Sequence, residues 1–217
     1  MYYIVLRKCQ WMSINMARDM HVKDLILGTM KSAKSAQLIM RGYLLDSQGK
    51  KVITFKPDTD TRDSNNVVSR ALPIKRPAIL VSKEDNGESM VIKVQNEKPD
   101  TILIDELQFF TLEQIDKIAE ISRLFQVDIY AYGLMIAYNG EMFNSIKRAI
   151  ECGFRIHTLD MSCDHCHNVA THHLLYLDDK VVARGEAIQV EDFQDKSQRF
   201  ESVCYNCYFA RVERELK

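Results

Sequence analysis

Short apolar runs separated by stretches with helical spacing set the pattern of this chain. Val22 to Leu27 runs into Gly28, as expected of a strand feeding a tight turn. Ala36, Leu38, Ile39, Leu44 and Leu45 then fall at the spacing of a helix that covers a sheet. Lys51 to Phe55 predicts a second strand, closed by Lys56-Pro57, and Ala78 to Val81 predicts another. Between them Asp58 to Asn66 is a polar loop without apolar content, and Glu84 to Lys98 is too weakly patterned to assign. Thr101 to Ile104 is continuously apolar up to its end, the mark of a parallel strand covered on both faces. Thr111 to Phe125 predicts a helix, while Val127 to Leu134 and Phe154 to Leu159 predict further strands. Strands alternating with helices imply an α/β class, a mostly parallel sheet flanked by helices.

Beyond Met161 the chain becomes rich in Cys and His, which places a domain boundary near Asp160. The expected division is an N-terminal extension over 1–21, an α/β domain over 22–160 and a small module over 161–217. In that module Leu174 to Leu177 and Val181 to Arg184, around Asp178-Asp179, predict a hairpin.

The turn after the first strand reads Gly28-Thr29-Met30-Lys31-Ser32-Ala33-Lys34-Ser35. Its spacing is that of a phosphate-binding loop, in which inward backbone N–H groups cradle phosphates, a lysine reaches the terminal ones and a hydroxyl holds magnesium. Ala33 stands where the second glycine of that pattern belongs. The same string also arises by accident at helix starts, so the loop alone leaves nucleotide binding open. Asp105 and Glu106 end the Thr101 strand, at the ligand-binding edge of an open α/β sheet, where one acid suits a metal and the other a proton. Taken without the loop, the two acids read equally well as an ordinary helix-capping turn.

Composition narrows the picture. The 217 residues carry 29 basic against 30 acidic side chains, a formal charge of −1 that gives no field for nucleic acid or an anionic membrane. Arg7, Lys8, Arg18 and Asp19 interrupt the N-terminal apolar residues before a signal core or membrane span can form, so a cytoplasmic protein is expected. Cys163-x-x-Cys166 and Cys204-x-x-Cys207 make two knuckles with 37 residues between them. Four thiolates complete a closed tetrahedral zinc site, which argues for a structural ion. Disulfides are the competing reading, disfavoured in a chain expected to stay in a reducing compartment. His165, His167, His172 and His173 are read as surface residues, since four cysteines already fill such a site.

The Gly28–Ser35 loop, the Phe55-Lys56-Pro57 to Arg62 stretch, Asp105-Glu106-Leu107-Gln108-Phe109-Phe110 and the two cysteine pairs stand in one order. In that order the chain resembles the thymidine kinases of the zinc-containing, cellular type, over roughly Asp24 to Phe209. The resemblance implies a P-loop NTPase-like domain over 22–160 that uses ATP and Mg2+. It implies a zinc-ribbon-like domain over 161–217 whose lasso loop closes over the nucleoside, and a homotetramer. The implied reaction moves the γ-phosphoryl group of ATP to the 5′-hydroxyl of thymidine. Lys34 would neutralise phosphates, Ser35 and Asp105 would hold magnesium, Glu106 would be the general base, and Arg62 would stabilise the transferring group with Asp60 nearby. Met30, Phe109, Leu134, Tyr138 and Phe143 match positions around the base, and Phe200 stands where the family usually has a lasso tyrosine that also binds the nucleoside. Three departures from the family pattern are Ala33, Ala137 in place of an aspartate, and Glu191 to Gln198 in place of a Gly-Gly pair. They leave a second reading beside the enzyme, that of a catalytically weakened paralogue serving as a nucleotide-binding or regulatory subunit.

Overall fold

The structure, a computed structural model, describes residues 21–59, 65–185 and 198–215. Six parallel strands form the main sheet: β1 (Lys23–Gly28), β2 (Val52–Pro57), β5 (Ile79–Val81), β6 (Thr101–Ile104), β7 (Asp128–Gly133) and β8 (Arg155–Leu159), in the spatial order β5-β2-β6-β7-β1-β8. Every residue of β6 is buried, which is why its run is unbroken rather than alternating. Helix α1 (Lys34–Ser47) packs on one face through Leu38 and Ile39 beneath Ile26, Leu103 and Tyr132. The opposite face is covered by α2 (Glu88–Glu97), α3 (Leu112–Phe125) and α4 (Asn144–Glu151). Met90, Val94, Ile115, Ile118, Ile121 and Ile146 there close a single large core with Leu25, Leu27, Ile102 and Ile129.

Several elements depart from the sequence expectation. Strand β2 continues through Lys56 and Pro57 instead of ending before them, because Lys56 is buried and donates to the Asn66 carbonyl at 3.1 Å. The unassigned Glu84 to Lys98 stretch contains α2, whose buried residues are only Met90 and Val94, too few for a clear stripe. A small hairpin of β3 (Asn66–Val68) and β4 (Lys75–Pro77) follows the polar loop. In the C-terminal part β9 (His172–Leu177) pairs with β10 (Lys180–Val182), as the hairpin reading required, and on its other edge with β11 (Gln198–Val203). Asp178 and Asp179 turn that hairpin with φ of 48° and 61°. Helix α5 (Tyr205–Glu215) closes the module over Leu174, Tyr176 and Val203. Among the described residues no helix is long and apolar enough to cross a membrane.

Helix α3 begins with a capping box: Thr111 Oγ accepts from Gln114 N at 3.2 Å, and the Gln114 side chain accepts from Thr111 N at 3.0 Å. Gln114 also donates to the Ser82 and Asp85 carbonyls at 2.8 and 2.6 Å, tying the loop before α2 to the start of α3. Replacing Thr111 with alanine should cost about 1 kcal/mol, read as a lower denaturant midpoint at unchanged slope.

Candidate active site

Strand β1 delivers its turn to the carboxyl edge of the sheet, next to β7 and β8. At Gly28 a Cβ would run into Ser32 Oγ and press on Leu159 Cβ at 3.2 Å, so the glycine gives the loop room to fold over its own start. The turn winds through two left-handed residues, Lys31 at φ 66° and Ala33 at φ 61°, ψ 24°. Ala33 thus keeps the backbone conformation that the motif's glycine normally supplies, with its methyl exposed. Its carbonyl accepts the first bond of α1 from Gln37 N at 2.9 Å.

Lys34 follows, 9 % exposed, and its ammonium lies inside the loop. Nζ donates to the carbonyls of Thr29 (2.7 Å) and Gly28 (3.2 Å) and to Ser32 Oγ (3.4 Å). Burial holds its pKa below the ordinary lysine value, and the carboxylates of Glu106 and Asp105 work against that shift. Beside it Ser35 Oγ donates to Asp105 Oδ2 at 3.5 Å, joining α1 to the end of β6. The hydroxyl and carboxylate that the sequence assigned to one metal are therefore together.

Glu106 turns the chain out of β6 with φ 50°, a strained value for a non-glycine residue. Its carboxylate is fixed by Gln108, whose Nε2 donates to Glu106 Oε2 at 2.6 Å. The other end of that amide accepts from Leu134 N at 3.0 Å, and Ser145 Oγ donates to the Gln108 carbonyl at 2.9 Å. A Cβ on Gly133 would stand 2.8 Å from Gln108 Oε1, so the glycine ending β7 makes room for this buried amide. Sequence reasoning gave Gln108 no role, because nothing in its own neighbourhood reveals a partner 26 residues away.

The aromatic and apolar candidates divide into two groups. Phe109 meets Phe143 edge to face with ring centroids 6.5 Å apart, and Leu134 packs on the same core. Tyr138 and Phe200 pack instead with Leu175 and Met30. The loop after β7 carries members of both, tied by Ala137 N to the Glu141 carbonyl at 2.8 Å and by an antiparallel bridge between Ile136 and Met142. Ala137, where the family pattern has an aspartate, is buried in the main core. Asp60 and Arg62, and the lasso segment Glu191 to Gln198 as far as Ser197, lie outside the described residues.

Two of the four histidines contradict the surface reading. His165 and His167 are exposed, but His172 and His173 are buried on β9. His172 stacks against Tyr208 with centroids 4.9 Å apart. His173 reaches the phosphate loop: Met30 N donates to its Nε2 at 2.9 Å, and its Nδ1 lies 3.1 Å from the Ile136 carbonyl. Only the Nδ1–H tautomer satisfies both contacts, and burial lowers the imidazole's pKa to about 4, so the ring is neutral.

The four thiols of Cys163, Cys166, Cys204 and Cys207 lie within 4.8 Å of one another. Cys166 Sγ is 3.6 Å from Cys204 Sγ and 3.7 Å from Cys207 Sγ. Zn–S bonds of about 2.3 Å at tetrahedral angles place sulfurs about 3.8 Å apart, so the donor set fits that ion, and a disulfide needs about 2 Å. The Cys207 N–H directed at Cys204 lowers that thiol's pKa, while the hydrogen bond with Cys204 raises that of Cys207, so without a cation the four sulfurs do not all ionise together.

Comparison with known proteins agrees with this geometry. The family model described as "Thymidine kinase" matches residues 21–208. The chain is 26% identical to a thymidine kinase of Encephalitozoon cuniculi over 185 residues, 85% of each chain. It is 28% identical to one of Streptococcus pyogenes over 182 residues, 84% of this chain and 94% of that one. A thymidine kinase of Enterococcus faecalis is 27% identical over 182 residues, 84% of this chain and 91% of the other. A Bacteroides Pif1 structure bound to ssDNA superposes over 64% of this chain and 38% of that one at 17% identity, with a TM-score of 0.36 that bears on neither fold nor function. With its family model spanning the loop, the paired acids and the cysteine cluster alike, the chain belongs to the thymidine kinase family.

Proposed function

We propose that this kinase moves the γ-phosphoryl group of ATP to the 5′-hydroxyl of thymidine, in nucleotide salvage. The observation that carries the reading is the convergence of Lys34, the Ser35–Asp105 pair and the Gln108-held Glu106 at the carboxyl ends of β1 and β6. A phosphate offers the Lys34 ammonium charged oxygens in place of the loop carbonyls, a stronger set of acceptors. Magnesium held by Ser35 and Asp105 would neutralise charge on the phosphates. Glu106 receives the proton of the 5′-hydroxyl as that oxygen bonds to the γ-phosphorus and the bond to the β-phosphate oxygen breaks, leaving thymidylate and ADP. A carboxylate is a weak base for an alcohol, so its fixed position and late proton transfer matter more than its basicity. Arg62 would stabilise charge on the group in flight. Phe109, Leu134, Phe143, Met30, Tyr138 and Phe200 would enclose the base, and Asp60 would meet the nucleoside near the transferring group.

In this reading residues 22–160 form the ATP-binding domain and 161–217 the zinc and lasso domain, in a cytoplasmic homotetramer. Zinc suits the four thiolates structurally, with no coordination position left for substrate. The paralogue reading draws on Ala33, since a left-handed alanine costs about 1–2 kcal/mol relative to a relaxed backbone. The retained turn, the Ser35–Asp105 contact and the held Glu106 favour the enzyme.

Three measurements test these statements. Purified protein with ATP, magnesium and a nucleoside panel should form thymidylate, and Glu106→Gln should lower kcat by about 10²–10⁴-fold with little change in the KM for ATP. No phosphorylated nucleoside from the wild type would sink the kinase reading. Ala33→Gly exchanges left-handed strain for the chain entropy of glycine, so it should raise stability by about 0.5–1 kcal/mol and tighten ATP binding. A glycine variant that melts lower would show that the strain at Ala33 is smaller than glycine's entropy cost. Metal analysis should find about one zinc per chain, lost when Cys163 and Cys204 become serine. A stable wild type free of metal would remove the zinc assignment.

A further inference from the structure

We propose that the four-cysteine module sets the phosphate loop through a clamp on both backbone polar groups of Met30, His173 holding the N–H and Ser202 the carbonyl. The inference rests on the reading of Gly28–Ser35 as a nucleotide-binding loop. Met30 N donates to His173 Nε2 at 2.9 Å, and Ser202 Oγ donates to Met30 O at 3.0 Å. His173 and Ser202 are register partners on β9 and β11, so the two contacts come from one rung of a paired ladder. Both residues are buried, 3 % and 1 % exposed, so neither bond competes with bulk water.

The rung is anchored at both ends. His173 Nδ1 donates to the Ile136 carbonyl, which fixes the ring's plane and leaves Nε2 as an acceptor. Ser202 exchanges a reciprocal pair with the knuckle residue Asp164: Ser202 N donates to Asp164 Oδ2, and Asp164 N donates to the Ser202 carbonyl, both at 2.8 Å. Asp164 stands between Cys163 and Cys166, so a path of three contacting residues leads from the thiol cluster to the loop. The Met30 side chain packs on Leu175 and Phe200, the next residues on the same two strands that face the loop. Met30 immediately precedes Lys31, the first left-handed residue of the turn. A clamp there fixes the chain just before its strained section, which is where control of the loop's conformation is strongest. His173 and Ser202 are positioning residues: they act on bound phosphate only through Met30.

The test is Mg·ATP binding by calorimetry on the full-length, zinc-loaded chain, with zinc content and Tm measured for each variant. The two hydrogen bonds of His173 can be separated. In His173→Asn the shorter amide keeps a donor near the Nδ1 position, for Ile136, and loses the acceptor for Met30. In His173→Gln the longer amide places its oxygen where Nε2 was and keeps the Met30 bond. His173→Asn and Ser202→Ala should each weaken Mg·ATP about 5–10-fold at unchanged zinc content, raising the KM for ATP more than they lower kcat. His173→Gln should bind within about 2-fold of the wild type. Wild-type affinity in both His173→Asn and Ser202→Ala would overturn the clamp, as would equal weakening in His173→Asn and His173→Gln. If His173→Asn fails to hold zinc, the comparison of Ser202→Ala with wild type decides the matter. A wild type that binds no ATP would overturn the nucleotide-loop reading instead.

Discussion

The structure of the site depends on the burial of one charge. An ammonium taken from water loses several kcal/mol of solvation unless oxygen partners replace it. Lys34 meets that requirement with two loop carbonyls and a loop hydroxyl, and with the carboxylates of Asp105 and Glu106 in its field. The loop is therefore wound around its own lysine, and the acids at the end of β6 are held opposite it by more than strand pairing. Asp105 is drawn toward Ser35, while Glu106 is drawn toward Gln108, so two neighbouring carboxylates acquire different partners. Position at a strand end makes this division available, because the chain is leaving the sheet and successive side chains no longer alternate strictly.

Much of this was legible in the sequence. Each strand of the main sheet overlaps a stretch that the sequence marks as a strand, with β6 the unbroken run, and the loop and the acids follow β1 and β6 as the motif spacing requires. The two cysteine pairs announced the four-thiol cluster that the fold assembles, a donor set able to hold a metal ion. Helix α2 was not legible because it buries only two residues, and β4 was not because Lys75, Arg76 and Pro77 look like loop. Those elements are fixed by tertiary contacts such as the Arg76 bond to Thr54, which local pattern does not encode.

The misread histidines show the same limit at the site. A histidine beside a four-cysteine cluster is expected to be exposed, and His165 and His167 are. His172 and His173 belong to the run that forms β9, whose residues face the α5 helix on one side and the phosphate loop on the other. An imidazole at the inward position of such a strand is an acceptable core group only if both nitrogens are matched, and His173 has both matched. Neither partner lies within thirty residues in sequence, so no pattern could have announced it. Gln108 is the parallel case, an amide that holds its neighbour Glu106 at one end and at the other is satisfied by Leu134 N, which only folding brings near.

These distant contacts bear on the departure at Ala33. An alanine in the left-handed region carries a cost because its Cβ crowds its own carbonyl, and that cost is local to the residue. It shifts the balance between this turn and relaxed alternatives, yet leaves the geometry of the turn itself open to outside control. Here the turn is held on its entry side by the bonds to Met30 and at its centre by the buried ammonium, whose partners exist only when the carbonyls of Gly28 and Thr29 point inward. On the exit side, α1 is seated through Leu38 and Ile39. A conformation determined from three directions tolerates a residue that would not choose it alone. The methyl points to solvent, so the strain meets no second clash. What glycine supplies in such loops is freedom to adopt the turn, and a turn already imposed by its neighbours needs less of that freedom.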